Sequence, residues 1–317
     1  MSEDVSRRGF LKGSAVAAAA AVGLSFEEQN LLAAMNAPAQ AAAPPEPAGA
    51  FPTGRIGPLT VTRVLCGGNL ISSFAHSRDL AYVSALLKRY FTDEKVLDTL
   101  ELCEERGINT GILRVDDHIV PLITKYWRER GGKLQWIAQV KPTEQDPVGD
   151  INRAIDAGAV GVYLHGGVGD DIVQKGRLEL AEKTLELGRK RGVVVGLGGH
   201  RIETIIAYEK AGLEPDFYMK TFNNRQYWSA HAASENDNIW ELEPEKTIAF
   251  MRACKRPWIA FKIFAAGAIQ PQVGFQYAFE HGADFCCVGM FDFQVVEDVL
   301  IARNVLAKIG SRERAWA

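Results

Sequence analysis

The sequence predicts an α/β fold: a (β/α)8 TIM barrel with a short N-terminal β-hairpin. Three observations carry this. Eight short apolar runs alternate with helical patterns over the body of the chain, which calls for parallel strands covered by helices. The helical stretches end in one recurring phrase, a glycine followed by a buried run: Gly107, Gly158, Gly192, Gly212 and Gly282. No G-x-G-x-x-G follows the first run, which weakens the rival doubly wound open sheet.

The chain opens with Ser6-Arg7-Arg8-Gly9-Phe10-Leu11-Lys12, then an apolar run from Ala15 to Phe26. The run is too short to span a bilayer, which takes roughly 20 helical residues. Twin arginines, a Phe-Leu pair and a basic residue before a mild Ala-rich stretch resemble a twin-arginine export signal. Ala37 to Ala43 offers A-x-A-like cleavage sites, so residues 1–43 are expected to be a signal peptide, 44–53 a linker and 54–317 the barrel domain. The expected location is periplasmic or otherwise extracytoplasmic. The first expected partner is the twin-arginine translocation machinery. Freely exchanging NAD(P)H is scarce there, which weighs against a simple soluble reductase.

After the linker, Arg55 to Arg63 reads as a hairpin turning at Gly57-Pro58. The strand candidates follow: Val64–Cys66, Thr110–Leu113, Gln135–Val140, Gly161–Leu164, Val193–Gly196, Phe217–Met219, Ile259–Ile263 and Phe285–Val288. Among the helical stretches, Asp93–Arg106 places Val96, Leu97, Leu100 and Cys103 on one face, and Leu178–Arg191 does the same with Leu180, Thr184 and Leu187. A length of 317 residues suits one such barrel behind a leader. A net charge of −3 gives no sign of a nucleic-acid partner, and five cysteines without a C-x-x-C pair exclude a zinc ribbon or a disulfide scaffold. No stable transmembrane span is expected.

In such a barrel the active site lies at the C-terminal ends of the strands. The residues just past each run are polar and convergent. Lys141 ends the third, where burial would lower a lysine pKa and make the amine a base or nucleophile. His165 precedes Gly166-Gly167, and His200 follows Gly198-Gly199 one strand later. Strands lie about 4.8 Å apart, so both rings could address one ligand. With Asp116 they form a candidate metal set, His165, His200 and Asp116, although no H-x-H or H-x-x-x-H spacing supports it. Asp116 and Asp117 are paired carboxylates that could divide acid and base roles, Asp116 serving the site while Asp117 caps a helix. Asn69 ends the first run. Asn223, Asn224, Arg225 and Trp228 open a long loop to Trp240 whose amides, guanidinium and aromatics suit sugar hydroxyls and ring faces. Lys141, His165, Asp116 and Asp117 are the expected catalytic residues. Asn69, His200, Asn223, Asn224, Arg225 and Trp228 are expected to bind substrate.

Several segments in order resemble the aldo/keto reductases, which are NADP-dependent oxidoreductases. They are Gly57 to Arg63 with Cys66-Gly67-Gly68-Asn69, Gly107-Ile108-Asn109-Thr110, Gln139-Val140-Lys141, Tyr163-Leu164-His165, and Gly282-Ala283-Asp284 through Val299. The likeness covers most of residues 54–309. It implies a (β/α)8 barrel with Lys141 and His165 at catalytic positions. The chain departs from the family at two others: Ile112 stands where the family has its aspartate and Asp117 where it has its tyrosine. The segment after Met290 lacks the family's basic residues for a 2′-phosphate. The expectation is therefore an exported enzyme acting on a polar carbonyl or sugar-like small molecule, but not an ordinary NADPH aldehyde reductase. The alternatives are a non-redox sugar isomerase, epimerase or lyase, with or without a metal, and a non-catalytic ligand-binding barrel. The cofactor stays open between NAD(P), a divalent metal and none.

Overall fold

The computed structural model of the protein describes residues 50–75, 80, 82–227, 230 and 241–317. The export segment, Trp228 and most of the loop to Trp240 lie outside them. Eight parallel strands close on themselves: β3 (Val64–Gly67), β4 (Thr110–Arg114), β5 (Gln135–Val140), β6 (Gly161–Leu164), β7 (Val194–Gly199), β8 (Phe217–Thr221), β9 (Trp258–Phe261) and β10 (Phe285–Val288), with β10 pairing β3. Helices follow the strands: α1 (Tyr82–Tyr90), α2 (Asp93–Glu105), α3 (Ile119–Glu129), α4 (Gly149–Asp156), α5 (Gly166–Gln174), α6 (Glu179–Lys190), α7 (Ile202–Lys210), α8 (Pro244–Ala253), α9 (Pro271–Glu280) and α10 (Asp292–Lys308). No helix of the described residues is long and apolar enough to cross a membrane. The five glycines expected to end helices all have positive φ, from +70° at Gly212 to +106° at Gly282, a backbone that lets the chain leave a helix and dive into the next strand.

Five strands differ from their expected bounds: β3 and β4 run one residue further, β8 runs two further, and β7 and β9 shift at both ends. β7 runs on through Gly198 and Gly199, because the chain there passes against β6 too closely for a side chain: a Cβ on Gly198 would sit 2.4 Å from the Leu164 carbonyl oxygen. β9 stops at Phe261, because Lys262 turns into the left-handed region at φ +59°.

Alternation along the strands sorts side chains into two sets. Leu65, Ile112, Ile137, Val194, Phe217 and Ile259 fill the barrel interior. The hairpin β1 (Thr53–Ile56) and β2 (Leu59–Thr62) adds Ile56 and Val61 to that cluster and so closes the N-terminal end. Outward-facing residues such as Val64, Trp136, Val162 and Trp258 pack under the helices. Ile112 is thus an interior packing residue. Lys220, next to interior Met219, faces outward instead: it is fully buried and pairs with Glu241 at 2.7 Å.

The N-terminal end is also locked by ions. Asp284, fully buried before β10, accepts from Trp258 N and Ala317 N at 2.9 Å and pairs with Arg312 and Arg314. Arg63 donates to the carbonyls of Asp284 and Ala317. Burial pushes Arg312 down to about 10 against the pull of this carboxylate. Removing the aspartate would strand two buried guanidiniums. Asp284→Ala is therefore expected to lower stability by about 3–5 kcal/mol, read as a lower urea midpoint.

Candidate active site

The C-terminal ends of β4 to β7 build one mouth. Lys141 follows β5 and His165 follows β6, side by side, since the His165 N–H donates to the Val140 carbonyl at 3.0 Å. His200 follows β7. The two imidazole centroids are 6.2 Å apart, at 74° to each other. Arg114, in register with Gln139, completes the inner rim and stacks its guanidinium 3.5 Å over Phe74. A cavity of about 510 Å³ opens outward from Lys141 and His165, lined by Thr143, Gly167, Asp171 and Arg177.

The two rings differ in what holds them. His165 caps α5: its Nδ1 accepts the Gly167 backbone N–H at 3.2 Å. A nitrogen that accepts a backbone N–H carries no proton, so the ring proton is on Nε2. Burial, then repulsion from Lys141 and from His200, pushes its pKa down to about 3. His165 is therefore a neutral N–H donor at physiological pH. His200 Nδ1 lies 2.8 Å from the Asp170 carboxylate, which also accepts the His200 backbone N–H at 3.1 Å and Thr204 Oγ1 at 2.6 Å. Asp170 is held below the usual carboxylate range by those hydrogen bonds, which outweigh its burial. An ionised carboxylate only accepts, so His200 carries its proton on Nδ1 and a lone pair on Nε2. Burial lowers the His200 pKa while Asp170 opposes the drop. Neither Nε2 bonds to a described residue, and neither is a sealed, unpartnered polar atom; His165 lines the cavity, and His200 stands beside it.

Lys141 is exposed at the rim, yet its pKa is lowered by partial burial and by Arg114. On the far side, Lys262, Ala265 and Ala266 all have positive φ, an accumulation of backbone strain at the strand end facing the mouth. Asn223 holds that turn, donating from Nδ2 to the Lys262 carbonyl at 3.2 Å.

The other expected residues lie elsewhere or do other work. Asp116 is the helix cap, accepting Ile119 N at 2.8 Å and His118 N at 3.1 Å while pairing with Arg114. Asp117 points to solvent, almost fully exposed, and pairs with Arg153. Asp116 thus takes the capping role expected of Asp117, and Asp117 is turned away from the mouth. Arg225 braces its loop, donating to the carbonyls of Ala230 and Leu242, and the Asn224 side chain accepts Gln226 N. Asn69 is exposed, its carbonyl accepting from Phe74 and Ala75. Trp228 lies outside the described residues. Asp170 is the residue that sequence reasoning missed. No spacing in the sequence marks it, and only the packing of α5 on β7 brings it to His200.

Neither open cofactor finds its donors. Among the described residues no group of three or more His, Cys, Asp or Glu side chains is arranged to hold a metal. The expected set of His165, His200 and Asp116 is divided, Asp116 being committed to its cap and His200 Nδ1 to Asp170. In barrels of this kind, phosphates lie against the ends of the last two strands and the following helix. That helix, α10, begins with Asp292, held ionised by Lys95 and Tyr90 between Phe291 and Phe293. A carboxylate at this place offers a phosphate no cation, and Lys95 is already paired with it.

Residues 4–23 match the family model for the twin-arginine translocation pathway signal sequence. That match supports export across the cytoplasmic membrane. No curated protein matches the chain. Among solved structures, the barrel is similar to a Pseudomonas aeruginosa protein assigned as an aldo-keto reductase (TM-score 0.55, 18% identity, 80% of this chain and 94% of that one). It is likewise similar to the holo form of a Bacillus halodurans aldo-keto reductase (0.53, 14%, 84% and 98%). A truncated 3-deoxy-D-arabino-heptulosonate 7-phosphate synthase of Thermotoga maritima scores nearly the same (0.51, 11%, 81% and 92%). At these identities the likeness is one of fold: an aldo-keto reductase-like (β/α)8 barrel behind a twin-arginine signal.

The neutral state of His165 makes a stability prediction. Below the unfolded value of 6.5 the unfolded chain takes up a proton that the folded ring refuses until about pH 3. The unfolded state then binds more protons, so stability rises with pH across that window. The denaturation midpoint should fall as pH drops from 6.5 towards 3, and His165→Asn should flatten this slope relative to wild type.

Proposed function

We propose that the protein is an extracytoplasmic enzyme acting on a polar carbonyl or sugar-like small molecule, with residues 1–43 as its signal peptide. The observation that carries the reading is the His165 tautomer: a neutral Nε2–H donor beside the Lys141 ammonium, both on the wall of one open cavity. A carbonyl oxygen placed there receives one hydrogen bond from His165 and the charge of Lys141, and both strengthen as negative charge develops on the oxygen. Arg114 adds a second fixed cation at the rim. Among the described residues the mouth offers no titrating hydroxyl for ordinary carbonyl reduction: the position of the family's tyrosine holds Asp117, turned to solvent, and the Tyr163 hydroxyl is fully buried against Gln139. The chemistry is therefore read as polarisation of a carbonyl without hydride transfer.

Lys141→Met and His165→Phe should each leave the melting temperature near wild type, since both stand above the packed layers. Each should cut turnover of small hydroxy-carbonyl compounds, followed by proton NMR, about a hundred- to ten-thousand-fold. Unfolding of both variants would mark the residues as structural, and undiminished turnover would place the chemistry elsewhere.

A further inference from the structure

Asp170 and His200 have the build of a base. Asp170 sits within α5, five residues after its cap, with its side chain only 10% exposed. It accepts the His200 ring N–H, the His200 backbone N–H, Thr204 Oγ1 and, at 3.3 Å, the Arg201 N–H. A carboxylate fixed by four donors cannot turn away from the ring, so the His200 tautomer and plane are fixed too. The ring edge lies over the first glycines of α5: a Cβ on Gly166 would stand 3.2 Å from His200 Cε1, and one on Gly167 3.1 Å from His165 Cε1. Those two glycines let both imidazoles come down to one place. The result is a proton acceptor and a proton donor of the same chemical type, in opposite tautomers, 6.2 Å apart between centroids. Phe261, 5.4 Å from the His200 ring, gives the gap an apolar side.

We infer that His200 is a catalytic base positioned by Asp170, and that with His165 it enolises a hydroxy-carbonyl substrate, interconverting aldose and ketose. The inference rests on reading the mouth as the site for a polar carbonyl. His200 Nε2 takes the proton from the carbon next to the carbonyl. That C–H bond breaks, a C=C bond forms, and the carbonyl π pair moves to oxygen. The oxygen is held by the His165 Nε2–H and by the charge of Lys141. The proton then returns from the His200 imidazolium to the same carbon, giving exchange with retention. If it returns to the former carbonyl carbon instead, the hydroxyl proton shifts between the two oxygens and the product is the isomer. No electron leaves the substrate, so no oxidant, reductant or metal enters the balance. The cations that act on the two rings suit an enediolate: Lys141 and Arg114 at the rim, and Lys262.

The test is solvent deuterium exchange. Dihydroxyacetone, glyceraldehyde, glucose, fructose and xylose are incubated with the mature protein in D2O and followed by proton NMR. Wild type should wash out the proton next to the carbonyl of at least one of them. His200→Asn keeps an N–H for Asp170 but removes Nε2, and should slow exchange by about a hundredfold or more at unchanged melting temperature. Asp170→Asn should lower the rate at least tenfold and move the acid limb of the pH profile to lower pH, because the carboxylate that raises the His200 pKa is gone. A purely structural Asp170 would leave that limb in place. Full exchange in His200→Asn, with loss in His165→Phe, would overturn the base assignment while leaving the proposed carbonyl site standing. No exchange with any of the five compounds would overturn the enolisation. If His165→Phe and Lys141→Met also exchange like wild type, the proposed site itself fails.

Discussion

Closing eight parallel strands into a ring leaves each strand only two directions for its side chains, into the barrel or under the helices, and every functional assignment depends on that alternation. Lys141 and Lys220 show what it decides. Lys141 continues the inward set of β5 beyond Ile137 and Gln139, so its amine reaches the mouth. Lys220 occupies the outward set of β8 and needs a buried partner, which Glu241 supplies with further support from Thr247. The same rule sends Ile112 into the packed interior and puts Arg114 at the rim two residues later.

The mouth then works by withholding water from some groups and fixing others. His165 is kept neutral because burial and nearby cations all oppose its protonation. His200 feels the same burial but has Asp170 beneath it, so a similar side chain in a similar place receives the opposite tautomer. The difference comes from one backbone N–H and one carboxylate, both belonging to α5. The strained turn at Lys262, Ala265 and Ala266, held through Asn223, closes the opposite wall.

Much of this was legible in the sequence. The glycines after five of the helices, the eight apolar runs and the hairpin at Gly57-Pro58 define the architecture because they are local signals with a backbone cause. Lys141, His165 and His200 were legible as strand-end residues. What the sequence did not reveal depends on direction or on packing between distant segments. Asp116 and Asp117 are neighbours, and only the entry angle of α3 makes one the cap and turns the other to solvent. Asp170 lies 30 residues from His200, and no spacing rule joins them. The amides and guanidinium of Asn223, Asn224 and Arg225 look like sugar ligands by composition. In the fold they brace their own loops, because a long connection over a barrel mouth has many backbone groups to satisfy.

On this reading one site holds two neutral imidazoles in opposite tautomers. Nitrogen-15 NMR of the histidine rings at pH 7 reads this directly, with His165→Phe and His200→Asn used to assign the signals. His165 should be protonated on Nε2 alone, and His200 on Nδ1 alone. A His165 imidazolium, or both rings in the same tautomer, would contradict it.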